Sequence, residues 1–412
     1  MSAPVPGLVN TRAPQWRRDL RILSLAGLAV GLFACGSDDP APVPAPAPAP
    51  AATVPTTPGQ FNAVVSFGDS LSDAGTYAPA TSVTADGQPP YIGGRFTNNS
   101  STAKVWVEVL AESLGIAATP AVVGFATQSV ACPVTNINPG LASSCTLYGQ
   151  GGARVTSTEG IGKAGGALTE PVKAQIERHL ARFNQFTAND LVMVYGGNND
   201  VFVAFGTFAA TAEALARAVA SGAKTAEQAQ AEQGQALTTA QQAMTTAATE
   251  LSDSVRDDIL GRGARYVAVM NLPDSSLTPF GDALPESARG VLSGLVDTFN
   301  TAFEAKLADL PVLLIDAHDL AMQVRADPAS FGFTNATEPA CDEQIISAIT
   351  QGNVTDGSSL FCNSEPGGTY YSLRAGASET TWQFADDVHP TTGAHRQFEG
   401  QVRTALTAAG WL

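Results

Sequence analysis

Short apolar runs alternate with longer amphipathic segments from residue 61 to the end of the chain. The apolar runs predict strands at Phe61–Phe67, Ala121–Phe125, Leu191–Tyr195, Tyr266–Asn271 and Val312–Asp316. Apolar residues spaced three or four apart predict helices at Ala103–Leu114, Glu170–Phe186, Ala209–Leu260, Glu286–Ala308 and Pro390–Ala409. Near-continuous apolar strands separated by helices indicate a parallel sheet covered on both faces. The pattern therefore predicts one α/β domain, enlarged by a helical insertion at residues 205–250.

The first 34 residues predict an export signal. Arginines precede the apolar stretch Ile22–Phe33, which is too short to span a bilayer of about 30 Å. The stretch ends in LFACG at residues 32–36, which resembles a bacterial lipobox with Cys35 as the lipidated residue. Gly36 after the cysteine favours sorting to the outer membrane. The alternative is a plain signal peptide cleaved nearby, with Cys35 incidental.

Residues 35–58 predict a linker, and residues 59–412 the folded domain. Proline and alanine alternate from Pro40 to Pro50, which favours an extended polyproline conformation of about 3.1 Å per residue. The net charge of −16 argues against nucleic acid as a partner, because phosphates require neutralisation by Lys and Arg. The same charge argues against adsorption on anionic lipid, so the predicted contact with a membrane is the lipid on Cys35.

The five cysteines also indicate export. With Cys35 assigned to lipid, the other four form two local clusters, which predicts the disulfides Cys132–Cys145 and Cys341–Cys362. Each would contribute about 3 kcal/mol in the chain-entropy description. Disulfides imply an oxidising compartment such as the periplasm or the cell surface. A metal site is the alternative, but Cys-x-x-Cys spacing is missing, so we expect no metal.

A serine stands directly after the first apolar run, at Ser70 in the sequence FGDSLSD. Ligands of open parallel sheets bind outside the carboxyl ends of the strands, which is where Ser70 should lie. His389 and Asp386 near the end of the chain supply a base for the serine proton and a carboxylate to orient that base. Asp387 is a rival for the carboxylate, and Ser70 alone could be an ordinary helix N-cap. The remaining histidines are expected to be structural or solvated: His179, His318 and His395.

Four short blocks occur in a fixed order along the chain: GDSLSD at 68–73, GGAR at 151–154, GNND at 197–200 and DDVH at 386–389. Together they resemble the GDSL, or SGNH, hydrolases over essentially everything after residue 60. GRFTN at 94–98, NLP at 271–273, DP at 327–328 and FGF at 331–333 are similar to the lipolytic branch of that family. The resemblance implies a three-layer α/β/α, flavodoxin-like fold with a central parallel sheet, to which this chain would add the helical insertion and the loops tied by the expected disulfides. It implies no metal or organic cofactor.

The resemblance also implies which groups would stabilise a tetrahedral oxyanion. These are the backbone N–H groups of Ser70 and Gly152 and the side-chain amide of Asn199. Gly151 and Asn198, each one residue earlier, are the rivals in register. The asparagine that usually precedes the glycine block in the family is not evident here. Three carboxylates would hold the serine turn and the asparagine loop, although plain loop capping explains them equally well: Asp69, Asp73 and Asp200.

The sequence thus predicts an exported, lipid-anchored serine esterase or lipase that forms an acyl-enzyme on Ser70. Its substrate would be a small-molecule or lipid ester, phospholipids included. The apolar segment Val201–Phe208 could line an acyl pocket, begin a mobile flap or form a buried helix. An acyltransferase or a polysaccharide deacetylase could use the same site. A surface lipoprotein that binds without catalysis is the alternative from another class.

Overall fold

A six-stranded parallel sheet is the centre of the fold in the computed structural model, which describes residues 53–81 and 93–412. Its strands are β1 (Ala63–Gly68), β2 (Thr119–Pro120), β5 (Cys145–Leu147), β6 (Asp190–Tyr195), β7 (Tyr266–Met270) and β8 (Leu313–Ile315). They lie in the order β2-β5-β1-β6-β7-β8. Without the two-residue edge strand β2, this is the 2-1-3-4-5 order of flavodoxin-like folds. The predicted fold class is confirmed.

Two small ladders lie outside the central sheet. β3 (Val122–Phe125) pairs with β4 (Gln128–Ala131) as an antiparallel hairpin. β9 (Asn335–Pro339) pairs with β10 (Trp382–Phe384) in parallel. The helices are α1 (Ala78–Thr81), α2 (Trp106–Ser113), α3 (Val172–Phe183), α4 (Asn198–Ala220), α5 (Ala226–Asp253), α6 (Pro279–Asp282), α7 (Glu286–Leu307), α8 (Ala317–Ala326), α9 (Glu343–Ile349) and α10 (Thr392–Ala408).

The two faces of the sheet carry separate apolar cores because side chains alternate along each strand. Val65 and Phe67 of β1 point to the face covered by α3, α4, α5 and α7. Val64 of the same strand points to the other face, where Trp106 of α2 and Leu406 of α10 are fully buried. Both faces are therefore buried from solvent, which explains why the strands are continuously apolar in sequence.

Two predicted elements differ from the observed ones. The segment Ala121–Phe125 forms a strand, but in the hairpin and not in the central sheet, whose place beside β1 belongs to β5. β5 is only three residues long, too short to stand out as an apolar run. The long helical region is two helices, α4 and α5, and α4 begins at Asn198, eleven residues before the predicted start. Gly222, with φ of +75°, lies in the turn that separates them.

Helix α4 is long and apolar enough to cross a membrane, the one such helix among the residues that the structure describes. Its first half carries the third sequence block and buries Val201 and Phe205 in the core. We therefore interpret α4 as a core helix that starts at the carboxyl edge of the sheet.

Both expected disulfides are present. Cys132 and Cys145 have Cα atoms 5.3 Å apart, and those of Cys341 and Cys362 are 5.9 Å apart. The first disulfide ties the end of the hairpin to the start of β5. The second closes a loop of 21 residues that contains α9 and returns towards the carboxyl edge of the sheet.

The beginning and the end of the described domain lie side by side. The indole N–H of Trp411 donates to the carbonyl of Pro55 at 2.7 Å, and the N–H of Gly59 donates to the carbonyl of Trp411 at 2.9 Å. The Tyr266 hydroxyl, at the first residue of β7, donates to the carbonyl of Thr57 at 3.0 Å. The last residues of the predicted linker thus pack at the amino ends of the strands. The predicted signal peptide, Cys35 and the Pro-Ala segment lie outside the described residues.

Candidate active site

Ser70 lies at the carboxyl end of β1, as its position in the sequence predicts. It begins a single 3₁₀ turn, Ser70–Ser72, which is capped by the Asp69 carboxylate accepting from the N–H of Leu71 at 3.1 Å. The buried side-chain amide of Gln175 forms hydrogen bonds with both the N–H and the carbonyl of Gly68, at 2.9 and 2.8 Å. The last residue of the strand is therefore fixed, and the serine that follows has one defined position.

His389 meets Ser70 across 319 residues of chain. The imidazole Nε2 is 2.9 Å from the serine Oγ, and Nδ1 is 2.8 Å from Oδ2 of Asp386. A carboxylate only accepts hydrogen bonds, so Nδ1 carries the proton and Nε2 can accept the serine hydroxyl. The carboxylate that is hydrogen-bonded to the ring is that of Asp386. The sequence-predicted serine, histidine and aspartate are thus in one continuous hydrogen-bonded chain.

The buried Asp386 carboxylate is held by backbone N–H groups as well as by the imidazole. Oδ1 accepts from the N–H of Val388 at 3.0 Å and of His389 at 2.8 Å. Oδ2 accepts from the N–H of Ser359 at 2.8 Å. Two of these donors belong to the same turn as the histidine, while the third belongs to the loop closed by Cys341–Cys362.

The second and third blocks border the same cleft as Ser70 and His389. Gly152 has φ of +79°, and a Cβ there would lie 2.0 Å from the carbonyl oxygen of Ile161, so the position requires glycine. The Asn199 amide donates one N–H to the carbonyl of Ala153 at 2.8 Å, which leaves the other N–H available. Asn198, the rival in register, donates to Asp69 at 3.0 Å instead.

The three predicted supporting carboxylates each join two of the sequence blocks. Asp69 of the first block accepts from Asn198 of the third. Asp73 of the first accepts from the N–H of Gly151 in the second, at 2.8 Å. Asp200 of the third accepts from the Arg154 guanidinium and the N–H of Val155, both at 2.9 Å.

Burial affects the protonation of all three carboxyls. Removal from water raises the pKa of Asp69 and of Asp73 from 3.8 to about 6, although hydrogen bonds to both partly offset it. The pKa of Asp200 is also raised by burial, against the charge of Arg154. The carboxylates thus stabilise the relative positions of the blocks at a cost in solvation.

The other three histidines do not belong to the hydrogen-bonded chain Ser70–His389–Asp386. His179 stacks on Phe186 at 4.3 Å, and burial lowers its pKa to about 4. His395 accepts from the N–H of Trp106 at 3.3 Å through Nδ1, and burial lowers its pKa to about 3. His318 lies 3.5 Å from Asp297. All three have the structural surroundings that the sequence analysis expected.

A family model described as GDSL-like Lipase/Acylhydrolase matches residues 64–399, most of the chain. This chain belongs to that family.

Two curated relatives match a shorter region. Esterase EstA of Pseudomonas aeruginosa and Esterase EstA of Pseudomonas putida are each 32% identical to this chain over 149 residues, which is 35% of the chain and 20% of the relative. The chain therefore matches about a fifth of the length of these relatives. Both relatives carry the name esterase, which agrees with the hydrolase assignment at the level of the family.

The cleft of this GDSL protein, which we call the catalytic cleft, is walled mainly by apolar side chains. Besides the four blocks, its lining includes Phe96, Phe125, Phe202, Ile161, Leu360 and Phe361. Phe202 belongs to the apolar segment after the third block, while Phe205 of the same segment is buried in the core. The segment therefore both lines the cleft and forms a buried helix.

Two residues at the site had no role assigned from the sequence. The centroid of the Phe96 ring lies 4.9 Å from that of the His389 ring. Phe96 belongs to the segment GRFTN, whose similarity to the lipolytic branch of the family assigned it no role at the site. The N–H of Ser359 supports Asp386. A backbone donor leaves no mark on residue type, and the flanking cysteines were the only signal that this loop is fixed in place.

Proposed function

We propose that this protein hydrolyses carboxylic esters through an acyl-enzyme on Ser70. The observation that carries the proposal is the continuous chain Ser70–His389–Asp386, with separations of 2.9 and 2.8 Å, on the wall of an apolar cleft. A serine hydroxyl is inert at neutral pH unless a base removes its proton during attack. His389 is in hydrogen-bond contact to do so, and Asp386 would stabilise the imidazolium that results.

The chemical steps follow from these positions. Ser70 Oγ bonds to the ester carbonyl carbon while its proton passes to Nε2 of His389. When the tetrahedral intermediate collapses, the bond from carbon to the alcohol oxygen breaks, and the imidazolium gives its proton to the departing alcohol. A water molecule then attacks the carbonyl carbon of the acyl-enzyme while one of its protons passes to Nε2 of His389. Collapse of the second tetrahedral intermediate breaks the bond to Ser70 Oγ, which regains its proton from the imidazolium, and the acid is released.

The oxyanion of each intermediate would be stabilised by the N–H groups of Ser70 and Gly152 and by the free N–H of Asn199. The glycine-only backbone at Gly152 supports this role, because a side chain there would disturb the position of the donor. The hydrogen bond from Asn199 to Ala153 supports it too, because it fixes the direction of the remaining N–H.

The lining of the catalytic cleft favours esters with an apolar acyl group. Phe96, Phe125, Phe202 and Phe361 would exclude water from a hydrocarbon chain and gain free energy by its burial. A polysaccharide would require polar partners along the cleft, and polar side chains are the minority of its lining outside the four blocks, so the cleft favours an apolar acyl group over a glycan. Whether water or a second alcohol accepts the acyl group is an outcome of the test below.

The test is hydrolysis of p-nitrophenyl butyrate and p-nitrophenyl octanoate by the full chain and by Ser70→Ala, His389→Ala and His318→Ala. The first two variants should lose roughly 10³-fold or more of kcat, and the third, remote from the cleft, should match the wild type. A fluorophosphonate probe should label the wild type and not Ser70→Ala. Activity and labelling that survive in Ser70→Ala would overturn the proposal. Ester products formed with added glycerol would identify an acyltransferase.

We also propose that the protein is exported and anchored through a lipid on Cys35, towards the outer membrane. Two disulfides within the domain support an oxidising compartment. Membrane fractionation of cells expressing the wild type and Cys35→Ser tests the anchor. The wild type should sediment with membranes, and the variant should be released; equal release of both would contradict the anchor.

A further inference from the structure

A second apolar cavity, which we call the side pocket, lies beside the catalytic cleft at the carboxyl edge of the sheet. Its apolar lining includes Leu277, Leu320, Ala321, Phe333, Phe384 and Phe398. Four residues line both the side pocket and the catalytic cleft: Leu71, Pro273, Thr278 and Val388. The two cavities are therefore neighbours that share one thin wall.

This wall is built from the chain neighbours of the reacting side chains. Leu71 follows Ser70, Val388 precedes His389, and Pro390, which follows His389, lines the side pocket as well. Leu71 and Val388 are only partly buried, so the top of the wall is accessible to a molecule that lies across it. A substrate bonded to Ser70 can thus extend to either side of the wall.

The charged groups of the side pocket are already paired. The Asp274 carboxylate accepts from the N–H of Ser276 and from the Ser293 hydroxyl, both at 2.8 Å. Arg325 donates to Asp282 at 2.8 Å. With these charges satisfied, the surface offered to a ligand is mainly hydrocarbon, and its remaining polar side chains are uncharged: Thr278, Gln383, His395 and Gln397. The part of a ligand that suits such a surface is an alkyl chain.

The direction of the reaction decides which part of an ester would enter the side pocket. The imidazolium gives its proton to the alcohol oxygen, so the leaving alcohol must lie next to Nε2 of His389. Both chain neighbours of His389 line the side pocket. The oxyanion candidates Gly152 and Asn199 and the phenylalanine wall belong to the catalytic cleft, which is therefore the place for the acyl chain.

We propose that the side pocket binds the alkyl part of the alcohol, so that the preferred substrates are esters with hydrocarbon on both sides of the ester bond. This proposal rests on the proposed esterase activity. It predicts that kcat/KM rises with the length of the alcohol as well as with the length of the acid. Complete burial of each added methylene would raise kcat/KM up to about fourfold.

The experiment measures acid release from methyl, propyl and hexyl butyrate, and separately from methyl acetate, methyl butyrate and methyl octanoate. Ala321→Phe fills the side pocket from α8, and Ala326→Phe places the same side chain on the exposed face of the same helix as a control. Leu320→Trp is a second filling variant, should Ala321→Phe fold poorly.

The wild type and Ala326→Phe should hydrolyse hexyl butyrate at least tenfold more efficiently than methyl butyrate. Ala321→Phe and Leu320→Trp should lose most of the gain from the longer alcohol, so that the ratio of their kcat/KM on hexyl butyrate to that on methyl butyrate falls towards one. Their dependence on acid length should equal that of the wild type.

The inference is overturned if wild-type kcat/KM does not depend on alcohol length. It is also overturned if the filling variants alter the acid series instead of the alcohol series. Failure of the esterase proposal itself gives a different result, namely methyl butyrate hydrolysis that is undetectable or that survives Ser70→Ala.

Discussion

Removal of the disulfide Cys341–Cys362 should lower activity as well as stability, whereas removal of Cys132–Cys145 should lower stability alone. The two bridges close loops of 21 and 13 residues, and the chain-entropy description assigns about 3 kcal/mol to each. The double variants Cys341→Ala/Cys362→Ala and Cys132→Ala/Cys145→Ala should therefore lose similar free energies of unfolding in urea titrations. They form a matched pair of Cys→Ala double variants that differ mainly in the location of the bridge.

The difference in activity follows from the N–H of Ser359. It donates to Asp386 at 2.8 Å from within the 21-residue loop, whose Leu360 and Phe361 also line the catalytic cleft. A hydrogen bond to a charged group contributes about 1.5–3 kcal/mol, and each 1.4 kcal/mol of lost transition-state stabilisation is about tenfold in rate. We expect kcat/KM for p-nitrophenyl butyrate to fall about 10- to 100-fold without this bridge. The 13-residue loop contacts Arg182 of α3, and no residue of that loop lines the cleft among the described residues.

A single substitution at Ser359 can remove the N–H donor to Asp386 while both disulfides stay in place. Ser359 is the first residue of a 3₁₀ turn, and Ser358 before it has φ of −50° and ψ of 125°, a conformation that suits the residue preceding a proline. Ser359→Pro should reduce kcat, while Ser359→Ala, which keeps the N–H, should not. The reasoning is refuted if both disulfide variants keep wild-type kcat/KM at temperatures where they are folded, or if Ser359→Pro and Ser359→Ala behave alike.

Three further predictions concern the blocks around Ser70. Burial raises the pKa of Asp69 to about 6. The folded state therefore binds more protons than the unfolded chain between pH 4 and 6. The stability that this group contributes is present at pH 4 and is lost as the pH rises through 6. Urea titrations at pH 4.5 and 7.5 should show a smaller loss of stability with pH in Asp69→Asn than in the wild type, and an equal loss would contradict the raised pKa. Gly152→Ala should lower kcat roughly 10²-fold, because the new Cβ displaces a proposed oxyanion donor. Gly222→Ala is the control, because Gly222 has a similar φ of +75° and no atom lies within 4 Å of the new Cβ. It should cost about 1 kcal/mol of unfolding free energy and no activity. Asn199→Ala should lower kcat by about 10²–10³ while Asn198→Ala mainly lowers stability through Asp69, and the reverse pattern in kinetics and urea titrations would exchange the two assignments.

Much of the fold was predictable because both faces of the sheet are dry. β1, β6 and β7 are apolar at every position or nearly so, and each therefore stands out as a run in the sequence. β5 does not, because three residues carry too little pattern, while the apolar run Ala121–Phe125 predicts a strand but forms part of the hairpin. Sequence periodicity indicates that a segment is a strand, but not which neighbour it pairs with.

The candidate site was predictable where its chemistry depends on residue type. The sequence itself identifies the serine, the histidine and the two asparagines, because their chemistry depends on their residue type. The structure brings together the blocks that contain them. The N–H of Ser359 and the side pocket were not visible. The first is a backbone group that any residue except proline supplies. The second is formed by side chains from well-separated parts of the chain, which only the folded topology brings together.

The contact between Trp411 and Pro55 determines how the molecule faces its surroundings. Residues 55–59 contact the end of the chain at the amino ends of the strands. The two cavities lie at the carboxyl ends of the strands, which is the opposite edge of the sheet. Anything joined to the chain ahead of residue 53, whether a lipid, a solid support or a fused partner, would attach behind the enzyme. Immobilisation by that route should leave the entrance for esters turned towards free solution.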